Sequence, residues 1–335
     1  MRSVSPCKLI WRPHATCPFC CSQTLKRDDG AFETWNFIAR RWSAVDCNSQ
    51  EFSDVDTNSE VLRIAAFADG LRGGNPAGVL IADRFATDER MQSIAAEVGY
   101  SETAFAVREE SAWRVRYFSP ESEVPFCGHA TIALGAALAM KHGNGVFDLR
   151  LNHATITVEG QSEGDQLWAA LQSPSTRSRP ATPATVAEAL AMFGYRAADL
   201  DPRIPPAVAH GGADHLVLAL ASREALSAMR YELEAGRRLM NRESWVTIML
   251  VYVESERRFH ARNAFASGGV YEDPATGAAA AAFAGYLRDL NWPHGGSIDI
   301  AQGDDMGQSS RLRAELTAVP GQSIRVSGTA RLMRA

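Results

Sequence analysis

Gly128-His-Ala-Thr-Ile-Ala-Leu-Gly-Ala-Ala-Leu-Ala-Met140 and Gly277-Ala-Ala-Ala-Ala-Ala-Phe-Ala-Gly-Tyr-Leu287 read alike. Neither stretch meets a charge before Lys141 or Arg288. A helix on a protein surface carries one apolar stripe, whereas a helix apolar on every side belongs in an interior. Their small side chains let surrounding strands come close. In each case a strand ending in phenylalanine, Phe118 or Phe265, runs into a loop and then into the helix. The pattern predicts two pseudo-symmetric lobes, each a curled β-sheet around a buried central helix.

The flanking sequence supports this. Val61–Phe67 reads as a strand, followed by a glycine-rich turn through Gly74 and a second strand ending near Ile81. Thr87 is placed to cap a helix whose apolar face is Met91, Ile94, Ala95 and Val98, closed by Gly99. Further strands fit 103–107, 113–118, 146–151 and 154–159. A second half opens near Pro180 with a helix over Thr185–Phe193, and strands fit 215–220, 246–253, 258–265, 297–302, 312–316 and 324–326. Helices and strands mix without a steady βαβ rhythm, so the class is α+β rather than a doubly wound sheet. The first lobe is expected over 61–178 with a return at about 324–335, and the second over 179–323.

Of 335 residues, 46% are hydrophobic and 22% charged, with a formal net charge of −5. That balance is ordinary for a globular protein and gives no reason to expect a nucleic-acid or membrane partner. No apolar run reaches the roughly 18 residues a bilayer requires. No apolar stretch follows Arg2 and Lys8, so no secretory signal is read, and a cytoplasmic location is expected. Cys7, Cys17, Cys20, Cys21 and Cys47 crowd the first 47 residues, while Cys127 stands alone in the remainder, which excludes a disulfide scaffold there. Cys17-Pro-Phe-Cys20 has the spacing of a zinc knuckle, with His14, Cys7 or Cys21 as further ligands, but a second pair is missing. Residues 1–60 are therefore read as an extension outside the fold.

Three charged or titratable residues are candidates for the chemistry. Glu102 lies in Ser101-Glu102-Thr103, where the first outer helix gives way to a strand. A carboxylate there is either solvated or a general acid/base. His129 falls in the first turn of the first central helix. Asp273, in Glu272-Asp273-Pro274-Ala275-Thr276-Gly277, precedes the second, where simple capping explains it equally well. The first-turn amides of both helices carry partial positive charge, so two such mouths facing one cleft would hold a small carboxylate or an enolate.

Five strings together resemble the PhzF-like family, named for phenazine biosynthesis, within the diaminopimelate-epimerase-like fold. They are Gly74-Asn-Pro-Ala-Gly-Val79, Ser101-Glu-Thr-Ala-Phe105, Phe118-Ser-Pro120 with Glu123-Val-Pro-Phe-Cys-Gly-His-Ala-Thr131, Glu272-Asp-Pro-Ala-Thr-Gly277, and Gln302-Gly303 with Met306-Gly307. They fall in order along about 275 residues, a combination far more specific for the family than for a substrate. The resemblance implies an isomerase that uses no metal or organic cofactor and is commonly a homodimer. In it Glu102 shuttles a proton between carbons of a small unsaturated acid, which in phenazine producers is a dihydro-hydroxyanthranilate. His129 and Asp273 would orient the substrate. Asn75, Thr276, Ala278 and the amides near Gly128 and Gly277 would form the anion site. Ala278 stands where members carry serine, and Gln308-Ser309-Ser310 replaces the usual Arg-Pro-Ser.

Two rival readings are a same-fold epimerase or racemase and an inactive small-molecule-binding relative. A symmetric two-thiol epimerase needs one cysteine per lobe. Cys127 is one, and the second lobe offers none. Cys127 then reads as a small buried apolar residue.

Overall fold

The computed structural model describes residues 24–26, 32–34 and 60–333. The chain forms two compact units, Met1–Phe52 and Ser53–Ala335. In the first, strands Thr24–Lys26 and Phe32–Thr34 pair antiparallel, where the sequence predicts no strand. The proposed knuckle ligands lie outside the described residues.

The second unit repeats one pairing scheme twice. In the first lobe, Leu62–Ala66 pairs antiparallel with Asn75–Ala82, which runs parallel to Thr103–Glu109. That strand forms a hairpin with Ala112–Phe118, which lies parallel to Gly145–Arg150, itself antiparallel to Thr155–Glu163. In the second lobe, Ala207–His210 pairs antiparallel with Asp214–Leu220, which runs parallel to Thr247–Ser255. That strand is antiparallel to Arg258–Ala264, which lies parallel to Ser297–Gln302, itself antiparallel to Ser310–Glu315. The order antiparallel, parallel, antiparallel, parallel, antiparallel is therefore the same in both. Gln166–Gln172 and Arg325–Leu332 then complete the first lobe, the latter pairing back onto Leu62–Ala66 and also onto Ser310–Glu315.

Inside these sheets lie the helices Gly128–His142 and Gly277–Asp289. Ile132, Leu134 and Leu138 of the first and Phe283 and Leu287 of the second are fully buried. Each such side chain contributes about 1.5–3 kcal/mol when taken from water. Close approach is built in by glycine. A methyl group added at Gly160 would sit 2.1 Å from the Gly135 carbonyl oxygen, and one added at Gly211 would sit 2.6 Å from the Ala282 nitrogen. The first helix thus touches a neighbouring strand backbone to backbone, and the second touches the turn at Gly211 in the same way.

The outer helices cover the sheets' other faces. Asp88–Val98 packs Met91, Ile94 and Ala95 onto Leu80, Phe105 and Phe118. Its Thr87 hydroxyl accepts from the Arg90 amide, and Gly99 takes the left-handed conformation at φ 71°, as the sequence predicts. On the second lobe, Pro183–Phe193 and Leu233–Glu243 bury Leu190, Phe193, Leu239 and Met240. Among the described residues no helix is long and apolar enough to cross a membrane.

The repeated scheme fixes an internal correspondence residue by residue. Thr103 opposite Phe118 matches Ile248 opposite Ala264, so Glu102 corresponds to Thr247 and Arg116 to Arg262. Glu123 opposite Phe118 matches Glu272 opposite Ala264, so Val124 corresponds to Asp273, Cys127 to Thr276 and Gly128 to Gly277.

Candidate active site

The two central helices begin against each other. A methyl group added at Gly128 would lie 3.0 Å from the Ala278 nitrogen and 3.2 Å from Gly277 Cα. Neither N-terminus is closed by a capping side chain, since Cys127 and Thr276 make no such bond. First-turn amides of both lobes therefore share one buried locality, with the partial positive charge that goes with them.

Side chains from both lobes gather here. Glu102 precedes the strand Thr103–Glu109, and its carbonyl accepts from the Gly78 amide at 3.2 Å. Gly78 leaves room for Thr103, whose hydroxyl would lie 2.6 Å from any added methyl group. Glu102 is 6% exposed. Its Oε2 stands 3.3 Å from His129 Nε2, yet off the line a hydrogen bond needs, so this buried oxygen has no bonding partner. His129 is itself buried, with Ser101 Oγ 3.3 Å from Nε2 and Cys127 Sγ 3.3 Å from Nδ1.

Asp273 is held very differently. Its Oδ1 accepts from Asn75 Nδ2 at 2.6 Å, and its Oδ2 accepts from the Thr276 hydroxyl at 2.5 Å. The second hydrogen of Asn75 Nδ2 goes to the Ala275 carbonyl at 2.9 Å, so both are used within the protein. Burial raises the Asp273 pKa from 3.8 to about 6, with Glu102 adding to the rise. The His129 charge, the Thr276 hydroxyl and the Asn75 amide act against it.

All of the site residues named from sequence thus converge. Glu102, His129, Asp273, Asn75, Thr276, Gly128 and Gly277 are buried around the meeting point, and Ala278 is partly exposed beside it. Two contacts were not foreseen. The Gln302 side-chain amide donates to the Asp273 carbonyl at 2.7 Å and to Thr276 Oγ1 at 3.1 Å. Glu272 is clamped by Arg262, Nε to Oε1 at 3.0 Å and Nη2 to Oε2 at 2.5 Å. The signal for the first was the Gln302-Gly303 string, to which the sequence attached no role. Cys127 is buried in the apolar core, as expected of a small apolar residue, and its Sγ also touches His129. Its thiol is pushed well above the ordinary range by burial and then by the Glu102 charge, so it stays protonated. Donor atoms of Glu102, Cys127 and His129 lie within 4.8 Å of one another, with the thiol hydrogen still in place on one of them.

A family model described as phenazine biosynthesis-like protein (PhzC-PhzF) matches residues 64–335. The chain belongs to that family. Among PhzF relatives, an uncharacterized isomerase of Mesorhizobium japonicum is 31% identical over 276 residues, covering 77% of this chain and 91% of its own. The trans-2,3-dihydro-3-hydroxyanthranilate isomerase of Pseudomonas aeruginosa is 30% identical over 276 residues, covering 79% and 94%. The PhzF-family phenazine biosynthesis protein of Bacillus anthracis has the same fold, with a TM-score of 0.72 at 22% identity over 82% of this chain and 96% of that one. A hydroxyproline epimerase of Agrobacterium vitis shares the fold more distantly, with a TM-score of 0.55 at 13% identity over 82% and 90%. The PhzF family is enzymatic and its curated relatives are isomerases, so this chain is an isomerase on the diaminopimelate-epimerase-like plan.

Proposed function

We propose that this PhzF-family isomerase moves a proton between carbons of a small carboxylic acid, with Glu102 as base and then acid. The observation that carries the reading is the buried Oε2 of Glu102, which has no hydrogen-bond partner and stands beside His129 at the joined helix mouths. A buried acceptor without a partner is costly to keep, and an arriving C–H proton would satisfy it. The substrate carboxylate, and the enolate that forms beside it, would face the first-turn amides at Gly128 and Gly277. His129 would steady the proton on Glu102, and Asp273 would orient the substrate from the opposite lobe. No organic cofactor or metal takes part in this scheme. The substrate class is a cyclic or α,β-unsaturated acid of the size of the relatives' dihydro-hydroxyanthranilate. Ala278 supplies no hydroxyl and Gln308 no cation, so recognition beyond the carboxylate differs from theirs.

The test is incubation with such acids in deuterium oxide, with exchange at carbon followed by NMR. Exchange in the parent that is lost in Glu102→Gln supports the reading. Exchange that survives in Glu102→Gln assigns the proton to another group. Tight binding with no exchange would make this chain a binding relative.

A further inference from the structure

Thr247 occupies the second-lobe position that Glu102 occupies in the first, and a continuous run of buried polar side chains begins there. His215, Thr247, Asn263, Gln302, Thr276 and Asp273 are each at most 9% exposed. His215 Nδ1 lies 2.8 Å from Thr247 Oγ1, Thr247 Oγ1 is 2.9 Å from Asn263 Oδ1, and Asn263 Nδ2 is 3.1 Å from Gln302 Oε1. Gln302 Nε2 then reaches Thr276 Oγ1 and the Asp273 carbonyl.

Donor counting gives this run one direction. Thr276 gives its single hydroxyl hydrogen to Asp273 Oδ2, so it can only accept from Gln302 Nε2. Gln302 Oε1 must accept from Asn263 Nδ2, which leaves Asn263 Oδ1 to accept from the Thr247 hydroxyl. Thr247 has then used its hydrogen and accepts from His215, which must carry its proton on Nδ1. His215 Nε2, the bare nitrogen, has no partner. Burial lowers the His215 pKa to about 3, so the ring is neutral beside Asp214 and His210. Every hydrogen in the run points toward Asp273. Donors aligned in this way strengthen one another in a low-dielectric interior.

We infer that His215, Thr247, Asn263 and Gln302 are positioning residues that fix Asp273 and favour its ionised form. The inference rests on reading Asp273 as part of the proton-transfer site. The titratable groups facing Asp273 are Glu102, His129 and Cys127, all from the first lobe. Its hydrogen bonds come from uncharged donors, Asn75 of the first lobe on Oδ1 and Thr276 of the second on Oδ2.

The experiment uses the full chain labelled with ¹³C at aspartate carboxyls, with Asp273→Asn assigning the resonance. In Thr247→Val, which keeps the side-chain shape and removes the hydroxyl, the Asp273 titration should move up by about one pH unit. Thr247→Ser should restore it. In the parent, ¹⁵N NMR of His215 should show the Nδ1–H tautomer, a readout that needs no variant. With substrate, Thr247→Val should lower the exchange kcat, displace its pH profile by the same amount and leave KM near the parental value. An unmoved Asp273 titration, or an Nε2–H tautomer at His215, overturns the relay. The titration needs no turnover. A shifted Asp273 with no exchange in the parent would keep the relay and remove the isomerase reading.

Discussion

The two lobes share a scaffold but carry different side chains at matching positions. Matching positions carry Glu102 and Thr247, Val124 and Asp273, Cys127 and Thr276, and His129 and Ala278. The first lobe presents a carboxylate oxygen with no partner. The second presents a carboxylate with both oxygens held. One ion pair has been kept in both. Arg116 clamps Glu123 through Nε at 2.8 Å and Nη2 at 2.6 Å, as Arg262 clamps Glu272. The first clamp is part-exposed and the second is buried. Under the proposed mechanism, a repeated frame lets one copy hold while the other moves protons.

The sharpest way to break this contrast is at its two carboxylates. Glu102→Gln should reduce carbon-deuterium exchange by at least the 10²–10⁴-fold typical of general acid–base groups. Asp273→Asn should cost less, measured in the same assay. If the two losses are equal, the division of roles fails.

The paired clamps give the next test. Arg262→Leu leaves Glu272 buried and uncompensated, and should cost about 3–5 kcal/mol in denaturant unfolding. Arg116→Leu, at the part-exposed twin, should cost about 1 kcal/mol or less.

The pH dependence of stability isolates Asp273. Its folded pKa of about 6 exceeds the ordinary 3.8, so the native state binds that proton more tightly than the unfolded chain. The contribution is greatest below pH 4 and is lost as pH rises through 6, amounting to about 3 kcal/mol. Urea titrations should show this slope in the parent and its removal in Asp273→Asn.

The smallest effects separate the two helix starts. Gly128→Ala drives a methyl group into backbone at 3.0 Å, and should cost about 1–3 kcal/mol in thermal unfolding. Gly277→Ala meets the Phe67 ring at 3.3 Å, which can yield, and should cost less. Equal penalties would mean the mouths are not set asymmetrically.

The central helices were legible because composition alone declares a helix with no polar face. The outer helix at Asp88–Val98 was legible from its cap, stripe and closing glycine. Leu233–Glu243 was not, because Gly236 interrupts its apolar face. That glycine is needed where the Tyr231 ring comes within 2.5 Å of an added methyl group. Gln166–Gln172 was missed as well, its central Ala169 and Ala170 giving no alternation to read. At the site, His129 and Asp273 stood out because they sit beside helix starts, and Glu102 because its Ser-Glu-Thr string lies where a helix gives way to a strand. The run from His215 to Gln302 did not. Its members lie on four separate strands, and sheet register alone brings them into line.

Arg325–Leu332 pairs with Leu62–Ala66 across nearly the whole described unit, and it also joins Gln166–Gln172 to close the first lobe's sheet. During synthesis from the N-terminus, the first helix therefore waits in an unsealed sheet until residues 325–332 emerge. Loop closure of that length is slow, and half-closed sheets expose edges that attract other chains. Deletion of only this strand would leave open edges at Leu62–Ala66, Gln166–Gln172 and Ser310–Glu315, so a nascent chain gains a covered first-lobe core only once residues 325–332 have been made.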